Sequence, residues 1–144
     1  MSVEAPVSPR ILPRAEHPVS RKDIAKEALK VLYRLSGAGH RAYLVGGSVR
    51  DLMLGRTPKD FDIATDARPQ EIRRLFRNSR VIGRRFRLVH ILFGPRVVEV
   101  STFRREPEAE ERARDAGEGM LITSDNAYGT PEQDAFRRDF TVNA

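Results

Sequence analysis

The 144-residue chain contains no cysteine and no tryptophan, and lysine is scarce beside arginine, with 4 lysines against 22 arginines. Without cysteine the chain has no disulfide framework, no thiolate metal site and no cysteine nucleophile. It also lacks an apolar run approaching the roughly 20 residues that span a bilayer, and its N-terminus has no signal-peptide core. The length suits one domain with a modest core. We therefore expect a soluble protein with no membrane insertion. We also expect it to be cytoplasmic and monomeric.

The positive charge is unevenly distributed along the chain. The formal net charge is +6, yet residues 104–144 hold 10 acidic against 6 basic side chains. Residues 68–96 hold nine arginines and a single acidic residue, Glu71. An arginine guanidinium binds phosphate through two hydrogen bonds and stacks on bases. A GC-rich genome that favours arginine codons would also produce many arginines, but the charge density over 68–96 favours a polyanion as partner.

The chain divides into a leader and one domain. Residues 1–19 contain four prolines and no periodicity, which predicts a flexible leader, and residues 20–144 form the domain. Ser20 and Asp23 predict the start of the first helix, whose apolar stripe runs to Leu35. Further elements are predicted from local patterns: helices over 48–54 and from Pro69, and strands over 42–45, 60–65, 88–93 and 97–102.

The last third of the chain has a different character. Residues 104–119 have no apolar periodicity, which predicts a mobile loop. Thr130 followed by Pro131 and Gln133 is typical of a helix start with a capping box. That helix has barely begun at Ala144, and no glycine or polar tail marks its end. We therefore interpret the chain as the first part of a longer protein.

Two carboxylates stand two residues apart in the predicted strand over 60–65. The period of two places Asp60 and Asp62 on one face and Phe61 and Ile63 on the other, which is the core. Neighbouring carboxylates repel unless they are protonated or bridged by cations, and Mg²⁺ is the natural oxygen-liganded partner. If the strand over 97–102 is a neighbour, Glu99 adds a third carboxylate, and three can hold two metal ions. An Asp-x-Asp pair taken alone is also typical of a solubility device on an edge strand.

A glycine pair separates the strand over 42–45 from the helix that follows it. Gly46 and Gly47 would let the backbone approach a phosphate, and Ser48 with the free amides of the helix start could bind it. Arg50 lies in the first turn and would add a positive charge. An ordinary tight turn between a strand and a helix would use the same residues. The phosphate-binding interpretation of this turn is favoured because an Asp-x-Asp strand follows it closely.

Taken together, these motifs closely resemble the head domain of the class II nucleotidyltransferases of the polymerase-β-like superfamily. That family comprises bacterial poly(A) polymerases and CCA-adding enzymes. The segments that carry the resemblance lie, in the expected order, at 46–51, 54–56, 60–65, 98–104 and 137–144. The resemblance implies an α+β (α/β) fold, a small mixed sheet with helices mainly on one face. It also implies transfer of a nucleotide from a nucleoside triphosphate to an RNA 3′-hydroxyl.

The resemblance also implies a role for each matching residue. Asp60 and Asp62 would be catalytic and hold two Mg²⁺ ions, with Glu99 or Asp139 as the third carboxylate. The residues that would bind the nucleotide are Gly46, Gly47, Ser48, Arg50, Asp51, Arg138 and Asn143. Asp51 would either orient Arg50 or touch the substrate. Arg138 and Asp139 would contact the ribose or complete the metal site, and Asn143 would bind the nucleotide or only support the turn. The residues that would bind RNA are Arg84, Arg85 and Arg87, beside Phe86 as a stacking surface or a core residue.

Two segments favour the poly(A) polymerase branch of this family. Residues 83–90 and the leader around Leu12 and His17 look like signatures of that branch. ATP would then be the substrate and RNA 3′ ends the acceptor. The alternatives are a CCA-adding tRNA nucleotidyltransferase and a non-catalytic RNA-binding module. Members of the family continue into a neck, a body and a tail that this chain lacks, so the chain alone is expected to be inactive.

Overall fold

The computed structural model describes residues 9–84, 86–105 and 128–136. Two 3₁₀ turns, at Arg14–Glu16 and Arg21–Asp23, precede the first helix. The described helices and strands are, in chain order, α1 (Lys26–Gly37), β1 (Ala42–Val45), α2 (Gly47–Met53), β2 (Phe61–Thr65), α3 (Pro69–Leu75), β3 (Ser79–Ile82), β4 (Leu88–Phe93), β5 (Arg96–Thr102) and α4 (Pro131–Phe136). Within these ranges, no helix combines the length and the apolar character needed to cross a membrane.

The five strands form one mixed sheet in the order β1-β2-β5-β4-β3. Strands β2 and β5 are parallel, and the other neighbouring pairs are antiparallel. The parallel pair requires a crossover, which α3, β3 and β4 supply. The mixed sheet with its helices confirms the α+β fold expected from the sequence.

The core lies between one face of the sheet and helices α1 and α3. Its buried residues alternate along the inner strands and repeat at helical spacing on the helices: Val31, Leu35, Ile63, Ala67, Ile72, Phe76, Val89, Ile91, Val98 and Val100. A second cluster joins Leu52 of α2 to Phe61 and Ala28. These helices cover the same side of the sheet, and the opposite side carries polar residues together with partly exposed apolar ones. We refer to this side as the open face; it carries Tyr43, Asp62, Arg80, His90 and Glu99.

The first helix begins later than its sequence predicts. Ser20 makes no capping hydrogen bond, and α1 starts at Lys26 after Ala25 as N-cap. Residues Ile24 and Ala25 are extended and pack against the second cluster, so burial outweighs the local capping pattern. The predicted leader and domain boundary stays a prediction.

Of the other sequence predictions, the structure confirms some and contradicts others. The capping box is confirmed, because Gln133 N donates to Thr130 Oγ1 at 3.2 Å and Thr130 N donates to Gln133 Oε1 at 2.9 Å. Strand β3 was not predicted. The prediction of a mobile loop over 104–119 is wrong at its first residue. Arg104 is buried, and its backbone N donates to Asp134 Oδ1 at 3.0 Å. Residues 106–119 of that loop lie outside the described residues.

Ile63 tests the packing of this core. It is fully buried on the inner strand β2, so Ile63→Ala removes apolar contacts and leaves a cavity. We expect it to destabilise the protein by about 2–5 kcal/mol, measured by urea unfolding. Ile82→Ala on the exposed edge strand is the matched control and should cost less than about 1 kcal/mol. Equal losses for both variants would contradict the core described here.

Candidate active site

The turn between β1 and α2 depends on Gly46. This residue is buried, with φ +75° and ψ −151°, a conformation that is essentially restricted to glycine. Its carbonyl oxygen accepts from Val49 N at 3.1 Å, which starts the helix directly after the strand. The glycine therefore places the first turn of α2 at the end of β1.

The Asp62 carboxylate lies against this turn. Val45 and Asp62 are partners in the β1–β2 pairing. A Cβ atom at Gly46 would lie only 3.1 Å from Asp62 Oδ2. The missing side chain at Gly46 thus leaves room for the carboxylate, and the turn and the acidic strand form one site.

The first turn of α2 holds the other nucleotide-binding candidates of this segment. Ser48 is buried, and its hydroxyl donates to Val45 O at 3.0 Å, which closes the turn. Arg50 Nε donates to Asp51 Oδ1 at 3.2 Å, so Asp51 contacts Arg50 as one of its two expected roles requires. A Cβ atom at Gly47 would lie 3.2 Å from Arg50 Nη2, which means that the guanidinium folds back over this glycine.

Glu99, on the neighbouring strand, adds a carboxylate beside Asp62. Asp62 and Glu99 are direct partners in the parallel β2–β5 pairing, and both lie on the open face. The condition for a third carboxylate, that the two strands are neighbours, is therefore met. Glu99 also lies beside β4, where His90 Nε2 is 4.0 Å from Glu99 Oε1. Asp60 is exposed and precedes β2 by one residue instead of lying within it.

These carboxylates suit a hard divalent cation by their chemistry. Asp60, Asp62 and Glu99 offer the oxygen ligands that Mg²⁺ prefers. Within the described part of the chain, however, no three acidic or histidine side chains are close enough together to hold a metal ion. Asp139, the other candidate for the third carboxylate, lies outside the described residues, as do Arg138 and Asn143.

The predicted RNA-binding arginines lie at the turn between β3 and β4. Arg84 and Arg87 are exposed, and Arg85 lies outside the described residues. Phe86 is 53% exposed, so its interpretation as a core residue is wrong. The Arg104 guanidinium lies 4.7 Å from the centre of the Phe86 ring, which holds one side of this turn against the end of β5.

His90 is a polar residue near the candidate site that the sequence motifs do not single out. The structure places it on the open face beside Glu99, with about a third of its side chain exposed. The signal was present in the strand over 88–93, where Val89 and Ile91 alternate with it. The same alternation would have indicated that His90 faces away from the core.

Comparison with known proteins adds independent evidence. Residues 42–144 match the family described as the poly A polymerase head domain. The chain is 56% identical to poly(A) polymerase I of Salmonella typhi over 93% of its own length. It is 40% identical to a CCA-adding enzyme of Streptococcus suis over 83% of its length. It spans 30% and 28% of the lengths of these two relatives, respectively.

A solved structure supports the same relationship. The crystal structure of the Bacillus stearothermophilus CCA-adding enzyme in complex with CTP aligns with a TM-score of 0.64 and 34% identity. The alignment covers 82% of this chain and 26% of that enzyme. The family match covers most of the chain and includes the glycine turn, the Asp-x-Asp strand and Glu99. The chain therefore belongs to the poly A polymerase head domain family.

Proposed function

We propose that this chain is the nucleotidyltransferase head of a polynucleotide adenylyltransferase, which transfers AMP from ATP to the 3′-hydroxyl of RNA. The observation that carries the proposal is the position of Asp62. Asp62 is the direct strand partner of Glu99 on one side, and its carboxylate lies against Gly46 on the other. Carboxylates chemically suited to a cation and a turn suited to phosphate thus adjoin each other, as nucleotidyl transfer requires.

Asp60 and Asp62, with Glu99 or Asp139, are the residues that would hold Mg²⁺. When bound, two Mg²⁺ ions neutralise the triphosphate and lower the pKa of the attacking hydroxyl. The protein's own contribution is to keep Asp62 and Glu99 on adjacent strands of a rigid sheet. That placement keeps the carboxylates in register without depending on a flexible loop.

The glycine turn supplies the triphosphate side of the site. Gly46 and Gly47 carry no side chain that would block the approach of a phosphate to the backbone. The Arg50 guanidinium already lies over Gly47 and adds a positive charge there. Asp51 orients that guanidinium through its contact with Nε. Ser48 shapes the turn because its hydroxyl donates a hydrogen bond to the Val45 carbonyl.

Adenylate transfer is favoured over CCA addition by the relatives. Identity is 56% to a poly(A) polymerase I and 40% to a CCA-adding enzyme. The CCA-adding branch is the second candidate, because a CCA-adding enzyme in complex with CTP shares the fold. We further propose that the protein works in the cytoplasm as a monomer.

The experiment incubates the full-length protein with Mg²⁺, RNA and each nucleoside triphosphate separately. The acceptors are an unstructured RNA oligomer and a tRNA that lacks its 3′ end. We expect a long ladder from ATP on the plain oligomer. The ladder should disappear in Asp60→Ala and persist in Asp23→Ala, a matched control in an exposed 3₁₀ turn.

The other outcomes separate the candidates. Addition confined to the tRNA and dependent on CTP would identify the CCA-adding branch. Binding of RNA without extension under any condition would leave a non-catalytic RNA-binding module. A ladder that survives in Asp60→Ala would overturn the assignment of this carboxylate.

A further inference from the structure

A row of polar side chains crosses the open face from β2 to the far edge of the sheet. The strand register places Asp62 beside Glu99, Glu99 beside His90, and His90 beside Arg80. Neighbouring strands lie about 4.8 Å apart, so Arg80 lies about 14 Å from Asp62 along this row. The row is anionic at β2 and β5 and cationic at β3.

Arg80 differs from the arginines whose side chains hydrogen-bond to other parts of this fold. Arg34 donates to the Leu75 carbonyl and Arg73 to the Ser79 carbonyl. Arg80 is exposed, and none of the described residues engages its guanidinium in a hydrogen bond or an ion pair. Within the part of the chain that the structure describes, this charge is therefore available to an external anion.

Apolar surface lies on both sides of this row. Leu92 and Val97 flank it on the open face, with exposures of 37% and 38%. Ile82 and the Phe86 turn lie on the other side, with exposures of 36% and 53%. A guanidinium bordered by exposed apolar and aromatic side chains suits a nucleic acid strand, whose phosphates and bases need those two kinds of contact.

The in-line geometry of nucleotidyl transfer indicates which ligand would lie along this row. In nucleotidyl transfer, the attacking and leaving oxygens lie on opposite sides of the reacting phosphorus. The glycine turn, which the proposed function assigns to the triphosphate, adjoins Asp62 on the β1 side. The attacking hydroxyl must then approach from the other side, where β5, β4 and β3 follow.

We propose that the row from Glu99 through His90 to Arg80 is the track of the RNA acceptor strand. Arg80 contacts a backbone phosphate upstream of the reacting 3′ end, and the flanking apolar residues pack against the bases. This inference rests on the proposed function, because it needs the hydroxyl at Asp62. An acidic segment of the protein itself is the rival occupant of the same surface.

The test compares Arg80→Gln with Arg74→Gln in the full-length protein. Arg74 is also exposed and loses the same charge, but it lies on α3, on the opposite side of the sheet. Binding of a fluorescently labelled single-stranded RNA oligomer is measured by anisotropy in EDTA over a range of salt concentrations. Extension from ATP is then measured with Mg²⁺, varying oligomer and ATP separately.

We expect Arg80→Gln to raise the Kd and the KM for the oligomer by about three- to fivefold. The slope of log K against log salt should fall by about 0.7, which corresponds to one phosphate of a single strand. The KM for ATP should not change, and Arg80→Lys should restore the salt slope. Arg74→Gln should behave like the wild type.

Three results would overturn the proposal. Equal effects of Arg74→Gln and Arg80→Gln would mean that only the overall charge matters. Unchanged RNA binding by Arg80→Gln would show that Arg80 does not contact a phosphate. A lowered melting temperature of the same variant would show in addition that Arg80 contacts another part of the protein. A raised KM for ATP instead of RNA would place the nucleotide on this row. If the wild type binds RNA with the expected Arg80 dependence but extends it with no nucleotide, the proposed function fails, and Arg80 contacts RNA without being part of an acceptor track.

Discussion

We expect Asp62→Asn to lower nucleotidyl transfer by about a thousandfold or more while RNA binding in EDTA persists. The substitution removes the negative charge between Glu99 and the glycine turn but keeps the shape of the side chain. The ionic stabilisation that such a carboxylate organises is worth several kcal/mol in the transition state. Extension of an RNA oligomer from ATP, measured at saturating substrate, gives the effect on kcat directly.

The control for this variant is Asp23→Asn, which makes the same chemical change on the exposed surface. It should leave the rate unchanged. The melting temperature of Asp62→Asn should stay close to that of the wild type, because the side chain is only half-buried and keeps its volume. Full activity of a folded Asp62→Asn protein would remove this carboxylate from the chemistry.

Gly46→Ala should lose both stability and activity. The backbone angles of this residue are nearly inaccessible to alanine, which costs about 1–3 kcal/mol. The new Cβ atom would also lie 3.1 Å from Asp62 Oδ2 and push the carboxylate away from the turn. We expect at least a hundredfold loss of kcat, since misplacement by about 1 Å can have that effect.

Gly55→Ala separates the two causes. Gly55 also has a positive φ, of 71°, but nothing lies within 4 Å of the position of its Cβ atom. It should therefore lose stability, measured by thermal unfolding, without a comparable loss of kcat. Similar activity losses for both glycine variants would show that backbone strain, and not contact with Asp62, explains the effect.

The local patterns predict most of this fold because the burial that shapes it is periodic. Alternation predicts that Ile63 is buried while Asp62 faces the other way, and the register confirms it. Strand β3 escaped prediction because three of its four residues are exposed and it lies at the sheet edge. Its position depends on pairing with β4 across the hairpin, including the hydrogen bond from Asn78 Nδ2 to Leu92 O at 2.7 Å. Local composition does not encode such contacts.

The site is predictable only in part for a related reason. The motifs identify Asp62 and Glu99, and alternation gives the face on which each lies. That β5 rather than β4 is the neighbour of β2 is a property of strand order, which no local pattern contains. The row that ends at Arg80 likewise follows from the pairing of four strands and could not be predicted while β3 was unrecognised.

The parallel pairing of β2 with β5 has a consequence for how the molecule is made. β5 lies between β2 and β4, so the inner edge of β2 has no partner until residues 96–102 leave the ribosome. The antiparallel β3–β4 hairpin can form earlier, because its contacts are local. Asp62 and Glu99 therefore meet only when the long crossover closes. During synthesis the candidate site therefore stays incomplete until the central strand β5 is inserted.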